Sequence, residues 1–289
     1  MSPPAQEIGV VVVGLGMAGK FRARDLRKEN CALRLRGVVS RRPIEMEGIR
    51  SYTLEEALSD KDVQAVIIST EPAWHEEYSR RALESGKHVL VEYPVALTSD
   101  KARELYNIAE QKGLVLHEEN VALLTEKFLA VKKKAAVSPI KSVTFSLKGV
   151  KNTWLGNFEQ SGLPFVCGVS GIQVLISLFG NLAVTGGSLD SQDDGFAAVA
   201  NMETAGGGSV SYTLTRFVNM KREKHEVYTF EDGEVLDTDT IATDPNKTGL
   251  FEQDMLLFNG EIQDGKIPED RKNLSIYGLE VAEKIHSYF

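Results

Sequence analysis

The strongest constraint on the fold lies between Ile8 and Gly19. An apolar run, Ile8–Val13, breaks into "GLGMAG", and a helix-like stretch comes next. Gly14, Leu15, Gly16, Met17, Ala18 and Gly19 match G-x-G-x-x-G, and the context gives the pattern a mechanism. A strand ends in a tight turn, the backbone can approach a pyrophosphate closely, and the first helical N–H groups face that anion. All six residues are therefore expected to bind a dinucleotide.

Beyond Gly19 the chain has the period of βαβ units. Strands are predicted at Ile8–Val13, Leu35–Val39, Ala65–Ser69, His88–Val91 and Leu114–His117. Helices are predicted at Ala18–Lys28, Leu54–Leu58, Glu76–Ser85 and Ser99–Lys112, the last two stopped by Gly86 and Gly113. After the basic stretch "VKKKAAVSP" the texture changes to alternating segments such as "SVTFSLKG", "FAAVANME", "GSVSYTLT", "HEVYTFED" and "GEVLDT", which read as a largely antiparallel sheet. Two helices accompany it, "SGIQVLISLFG" and "LSIYGLEVAEKIHSYF". The fold class is α/β: an N-terminal Rossmann domain with a doubly wound parallel sheet over 1–119, followed over 120–289 by an α+β domain with a large, mainly antiparallel sheet.

Charge and cysteine content narrow the partners. With 33 basic against 41 acidic residues in 289, the net charge of -8 argues against nucleic acid or an anionic membrane as partner. The longest apolar run, from Ile8 to about Ala18, is too short to span a bilayer. Cys31 and Cys167, the two cysteines, stand in no metal-ligand spacing, so a reducing compartment, the cytoplasm, is expected.

At the end of the second strand an acidic residue would grip the ribose of NAD. Ser40, Arg41 and Arg42 stand there instead, suited to forked contacts with a 2′-phosphate. A solvated surface pair is the alternative, and the position favours the phosphate. NADPH is the expected cofactor, with NADH as a weaker alternative. "STEPAWHEEY" follows the third strand, so Thr70, Pro72, Ala73, Trp74 and His75 are expected to border the cofactor. His75 either bonds it or caps the next helix.

"GKHVLVEYP", Gly86 to Pro94, completes a set that resembles the glucose–fructose oxidoreductase and inositol dehydrogenase-like family. That family usually carries Glu-Lys-Pro, its lysine serving a substrate alcohol; here Tyr93 takes the lysine's place. "GVVVVGLGMAG", "VSRR", "SGKHVLVEYP", "QKGLVLHEENVALL" and "SLFGNL" together resemble the biliverdin reductases within it. The resemblance implies hydride transfer from NAD(P)H to the central methine bridge of biliverdin, a linear tetrapyrrole, giving bilirubin. It implies Tyr93 and Glu92 as the catalytic pair, Tyr93 also touching the cofactor, and Glu118 and Glu119 on the substrate side. Tyrosine's ordinary pKa of about 10 suits Tyr93 to positioning before proton transfer.

The substrate's propionates need cations, and "RFVNMKREKHE" is the densest source, with Arg216 and Lys221 as candidates. One departure stands out. The family's Ser-Arg pair, whose arginine is a proposed propionate holder or proton donor, reads Ser170-Gly171 here. The zinc-associated cysteines found at the C-terminus of some members are also missing from "VAEKIHSYF", so no metal is expected. Two other functions fit the same residues: an NADP(H)-binding sensor without turnover, and a sugar or polyol dehydrogenase.

Overall fold

The computed structural model describes residues 7–28, 32–42, 46–151, 154–244 and 247–289; Cys31 lies outside them. The chain forms two compact units, one of residues 1–121 with 248–273 and one of 122–247 with 274–289.

The first unit alternates β1 (Ile8–Val13), α1 (Met17–Asp25), β2 (Leu33–Val39), α2 (Leu54–Ser59), β3 (Ala65–Ile68), α3 (His75–Glu84), β4 (His88–Val91), α4 (Ser99–Lys112) and β5 (Leu116–Glu118). The five strands pair in parallel in the order β2-β1-β3-β4-β5. Every residue of β1 and β3 is buried, as both faces of a central parallel strand must be. The order reverses between β1 and β3, and in such sheets ligands bind outside the carboxyl ends of the strands at that point. Gly14, Ser40, Ser69 and Glu92 follow those ends.

Between β1 and β5, element boundaries moved by up to three residues from the sequence reading, whereas the terminal helix starts at Glu269, five residues before Leu274. Helix α1 stops at Asp25 rather than Lys28, β2 begins two residues earlier, and β5 lies two residues later than Leu114 would place it. Helix α4 agrees at both ends because its signals are chemical: Thr98 accepts a hydrogen bond from the Lys101 amide, and Gly113 closes the helix at φ 64°.

The second unit contains α5 (Glu126–Ala135), β6 (Ile140–Val150), α6 (Phe158–Ser161), α7 (Pro164–Cys167), α8 (Val169–Phe179), β7 (Leu182–Gln192), β8 (Gly195–Thr204), β9 (Ser209–Phe217), β10 (Glu223–Phe230) and β11 (Val235–Asp237). The six strands run in the order β11-β10-β6-β9-β8-β7, antiparallel except for the central β6–β9 pair. The sheet is therefore mixed, because the chain leaves β6 for three helices and two strands before β9 returns beside it. Alternation sets its faces: Val143, Phe145, Tyr212 and Leu214 are buried, while Ser142, Ser146 and Thr213 are partly open. Tyr212 meets the rings of Phe145 and Phe165 edge-on at 4.7 and 5.1 Å, a favoured aromatic geometry.

Helix α9 (Leu250–Asp264) is an element the sequence reading lacks, and it belongs to the first unit. Met255 and Phe258 join Val10, Val12, Ile67 and Leu90 in that unit's core. The 120–289 span assigned from sequence to the second domain thus includes a segment that packs with the first. Helix α10 (Glu269–His286) comes after it, and from Leu274 onward it belongs to the second unit. No described helix is long and apolar enough to cross a membrane.

Candidate active site

The turn after β1 is built for close approach. Gly14 adopts φ 92°, a conformation that disfavours side chains, and a Cβ there would lie 2.5 Å from the Ser69 carbonyl oxygen. Gly19 packs against it, a Cβ at that position meeting the Gly14 oxygen at 2.0 Å. Gly16 is different. It is exposed, and its nearest such neighbour is 3.9 Å away, so its backbone faces open space. Helix α1 starts at Met17 with no side-chain cap and no acid in its first turn, which leaves its amides and positive dipole end for an anion. Leu15 and Ala18 are half-buried, and Met17 is exposed. This arrangement fits a dinucleotide diphosphate.

Ser40 folds the end of β2, its hydroxyl donating to the Arg42 carbonyl at 3.0 Å and accepting from the Arg42 amide at 3.1 Å. Arg41 and Arg42 are exposed. The Arg41 guanidinium meets the carboxylate of Glu71, a residue the sequence reading passed over although it lies inside "STEPAWHEEY". Pro72, Ala73 and Trp74 form a single 3-10 turn, with Pro72 buried and Trp74 stacked on Tyr78 at 5.8 Å.

His75 is fully enclosed. Its Nδ1 lies 2.8 Å from the Pro94 carbonyl and its Nε2 3.1 Å from that of Thr70. Burial pushes its pKa below the ordinary value, so the neutral ring donates to one of these carbonyls. Neither role read from sequence matches this placement: both ring nitrogens face backbone carbonyls, and α3 begins without a side-chain cap. His75 instead ties the loop after β3 to the loop after β4.

That second loop carries Glu92, half-buried Tyr93 and Pro94. Glu118, at the end of β5, accepts the Val95 amide at 2.6 Å, and Glu119 accepts the Val121 amide at 2.7 Å. Both glutamates are buried and engaged in holding backbone. Behind them lies a set of charges that sequence reasoning missed. Arg22 of α1 donates to Glu92 and Asp254, and His117 of β5 lies 3.0 Å from Asp254 and 2.8 Å from Glu261.

The electrostatics follow from burial and partners. Desolvation raises Glu92, and the nearby Asp254 charge adds to it against the pull of Arg22. Glu119 is driven well above the ordinary carboxyl range by burial and then by Glu92 and Asp254. Burial acts in the same direction on Asp254, but His117 and Arg22 outweigh it and bring that carboxyl down to about 2.

In the second unit, Arg216 lies across Gly149, where a Cβ would sit 1.8 Å from its guanidinium nitrogen, and Lys221 is exposed. Neither lines the cavity of about 370 Å³ formed by Ser146, Lys148, Glu223, Lys224, His225 and Asp239. Gly171 is buried in α8, where a Cβ would meet the Tyr212 hydroxyl at 2.6 Å. Packing thus closes the position where the resemblance would place an arginine. Among the described residues, His225, Asp237 and Asp239 bring donor atoms within 4.8 Å of one another. Lys127 already pairs with Asp239 at 2.9 Å, which makes this an exposed charge cluster.

Residues 8–120 match the model of the oxidoreductase family with an NAD-binding Rossmann fold. Human biliverdin reductase A is 34% identical over 99% of this chain and 97% of its own length. Among solved structures, the Synechocystis biliverdin reductase in complex with biliverdin and NADP+ superposes with a TM-score of 0.81 at 21% identity, over 98% of this chain and 99% of that one. Myo-inositol 2-dehydrogenase from Lactobacillus plantarum gives a TM-score of 0.83 at 16% identity, over 98% and 97%. The fold is shared by enzymes of unlike substrates, so substrate choice rests on the site.

Proposed function

Since this chain belongs to the biliverdin reductase family of NAD-binding Rossmann oxidoreductases, we propose that it reduces the central methine bridge of biliverdin to give bilirubin, using NADPH. Tyr93 carries the reading: it occupies the place where polyol dehydrogenases of the wider family use a lysine, in a chain similar to biliverdin reductase A over its whole length. Two cysteines without ligand spacing support a cytoplasmic setting for haem breakdown.

In this reading Gly14 to Gly19 hold the diphosphate, and Ser40, Arg41 and Arg42 hold the 2′-phosphate. Thr70 to Trp74 border the cofactor, and Tyr93 lies against the nicotinamide. The bound cofactor supplies the hydride, and the conjugated tetrapyrrole supplies the electrophilic carbon. The protein contributes orientation and charge. Tyr93 positions the rings, while water or the substrate's own propionic acid delivers the proton, because Gly171 brings no cation. Arg216 and Lys221 are the proposed propionate partners. Turnover of purified protein with biliverdin and NADPH, followed at the bilirubin band beside a panel of sugars and polyols, tests the proposal. Bilirubin should form and the alcohols should not react with NADP+. NADPH binding without turnover would make the protein a sensor, and alcohol oxidation would make it a polyol dehydrogenase.

A further inference from the structure

Arg22 stands one helical turn past Gly19, on the helix whose first residues form the diphosphate turn. Its side chain is fully buried. The guanidinium spends its donors in three directions: Nε on Glu92 at 3.1 Å, Nη1 on the Phe251 carbonyl at 3.0 Å and Nη2 on Asp254 at 2.6 Å. The Phe251 ring lies 4.6 Å from its central carbon. Only a planar fork serves three acceptors so placed; an ammonium on a flexible stem does not.

A charge this deep is costly, and apolar residues of equal volume commonly give the same or greater stability. Its placement therefore asks for a role other than stability. The polar set reaches the surface at one end: side-chain exposure is 0% at Arg22, 2% at Asp254 and 14% at Glu92. Glu92 is also the residue bonded to Tyr93, at the carboxyl end of β4 where ligands of such sheets bind.

We propose that Arg22 is a positioning residue that ties the diphosphate turn to the Glu92–Tyr93 loop, with Asp254 of α9 fixing it from behind, so that the nicotinamide half of the cofactor is aimed through this strut. The inference rests on the reading that the first unit binds NADPH, and it gives Glu92 a positioning role.

The test compares NADPH with 2′,5′-ADP, which carries the phosphorylated adenosine and lacks the nicotinamide. Dissociation constants for both are measured by calorimetry on the unmodified protein, Arg22→Lys, Asp254→Asn and Glu92→Gln. The expected result is that 2′,5′-ADP binding stays within about twofold while the extra affinity contributed by the nicotinamide half falls about fivefold or more. Retained 2′,5′-ADP binding shows that a variant is folded, and if Arg22→Lys fails it, Asp254→Asn and Glu92→Gln decide. An unchanged ratio, or equal weakening of both ligands, overturns the strut. An unmodified protein that binds neither ligand removes the NADPH reading and the strut with it. A protein that binds both but makes no bilirubin loses only the substrate assignment.

Discussion

Arg41 donates to both carboxylate oxygens of Glu71, at 3.0 and 2.9 Å, joining the loops after β2 and β3. The guanidinium expected to take the 2′-phosphate is therefore already held by an acid that would repel it. Glu71→Gln should tighten NADPH by about two- to fivefold, the scale of an exposed ion pair, and leave NADH nearly unchanged. Titration of both nucleotides by quenching of protein fluorescence checks it. Equal effects on the two would remove Glu71 from cofactor choice.

Arg41→Ala combined with Arg42→Ala should erase most of the preference for NADPH. A charge-assisted contact contributes about 1.5–3 kcal/mol when well formed, so one lost contact means about tenfold or more. The ratio of the two dissociation constants is the measurement, and an unaltered ratio would return these arginines to solvent.

Tyr93→Phe should keep most of the turnover, since the ring that positions the ligands remains. A fall of about a hundredfold with NADPH affinity intact would instead mark the hydroxyl as the proton donor.

Gly171→Ala should destabilise the second unit by about 1–3 kcal/mol, because Tyr212 cannot yield space between Phe145 and Phe165. Denaturant unfolding reads this directly. Gly171→Arg, which introduces the arginine that the resemblance implies, should give unfolded or aggregated protein rather than better substrate binding.

His117 should make stability fall with rising pH. Burial lowers its pKa, but Asp254 and Glu261 more than compensate, and the folded value is raised, although Arg271 also approaches the ring at 3.3 Å. A raised folded pKa means that the contribution is complete below about pH 6.5 and disappears as pH climbs through the folded value. Relative to His117→Gln, the unmodified protein should hold its greatest advantage below about pH 6.5 and lose it at up to about 1.4 kcal/mol per pH unit above. A pH-independent difference between the two would show that the ring is not charged in the folded state.

The parallel sheet was legible because its signals are local. Strands β1 and β4 are apolar runs bounded by glycine and charge, and the turn after β1 has one strong geometric reading. Strand β7 was missed because Gly186 and Gly187 interrupt the alternation, at a bulge between Val184 and Gly186. Helix α9 does show Met255, Phe258 and Ile262 at helical spacing, but nothing in that pattern says which core it joins. Asp254 and His117 meet although 137 residues apart in sequence. Arg22, Asp254 and His117 were invisible as a site for a simpler reason: charged side chains are read as exposed, and here all three are buried.

The return of α9 to the first unit has a consequence for synthesis on the ribosome. The N-terminal half emerges first, yet its core lacks Met255 and Phe258, and Arg22 lacks Asp254, until the chain has been made through α9. Nascent Val10, Val12 and Leu90 must wait for most of translation beside an arginine that has Glu92 but lacks its α9 partners, so this unit matures late although it is encoded early. A fragment ending near Val121 should accordingly be captured by chaperones, whereas one extended past Asp264 should be released.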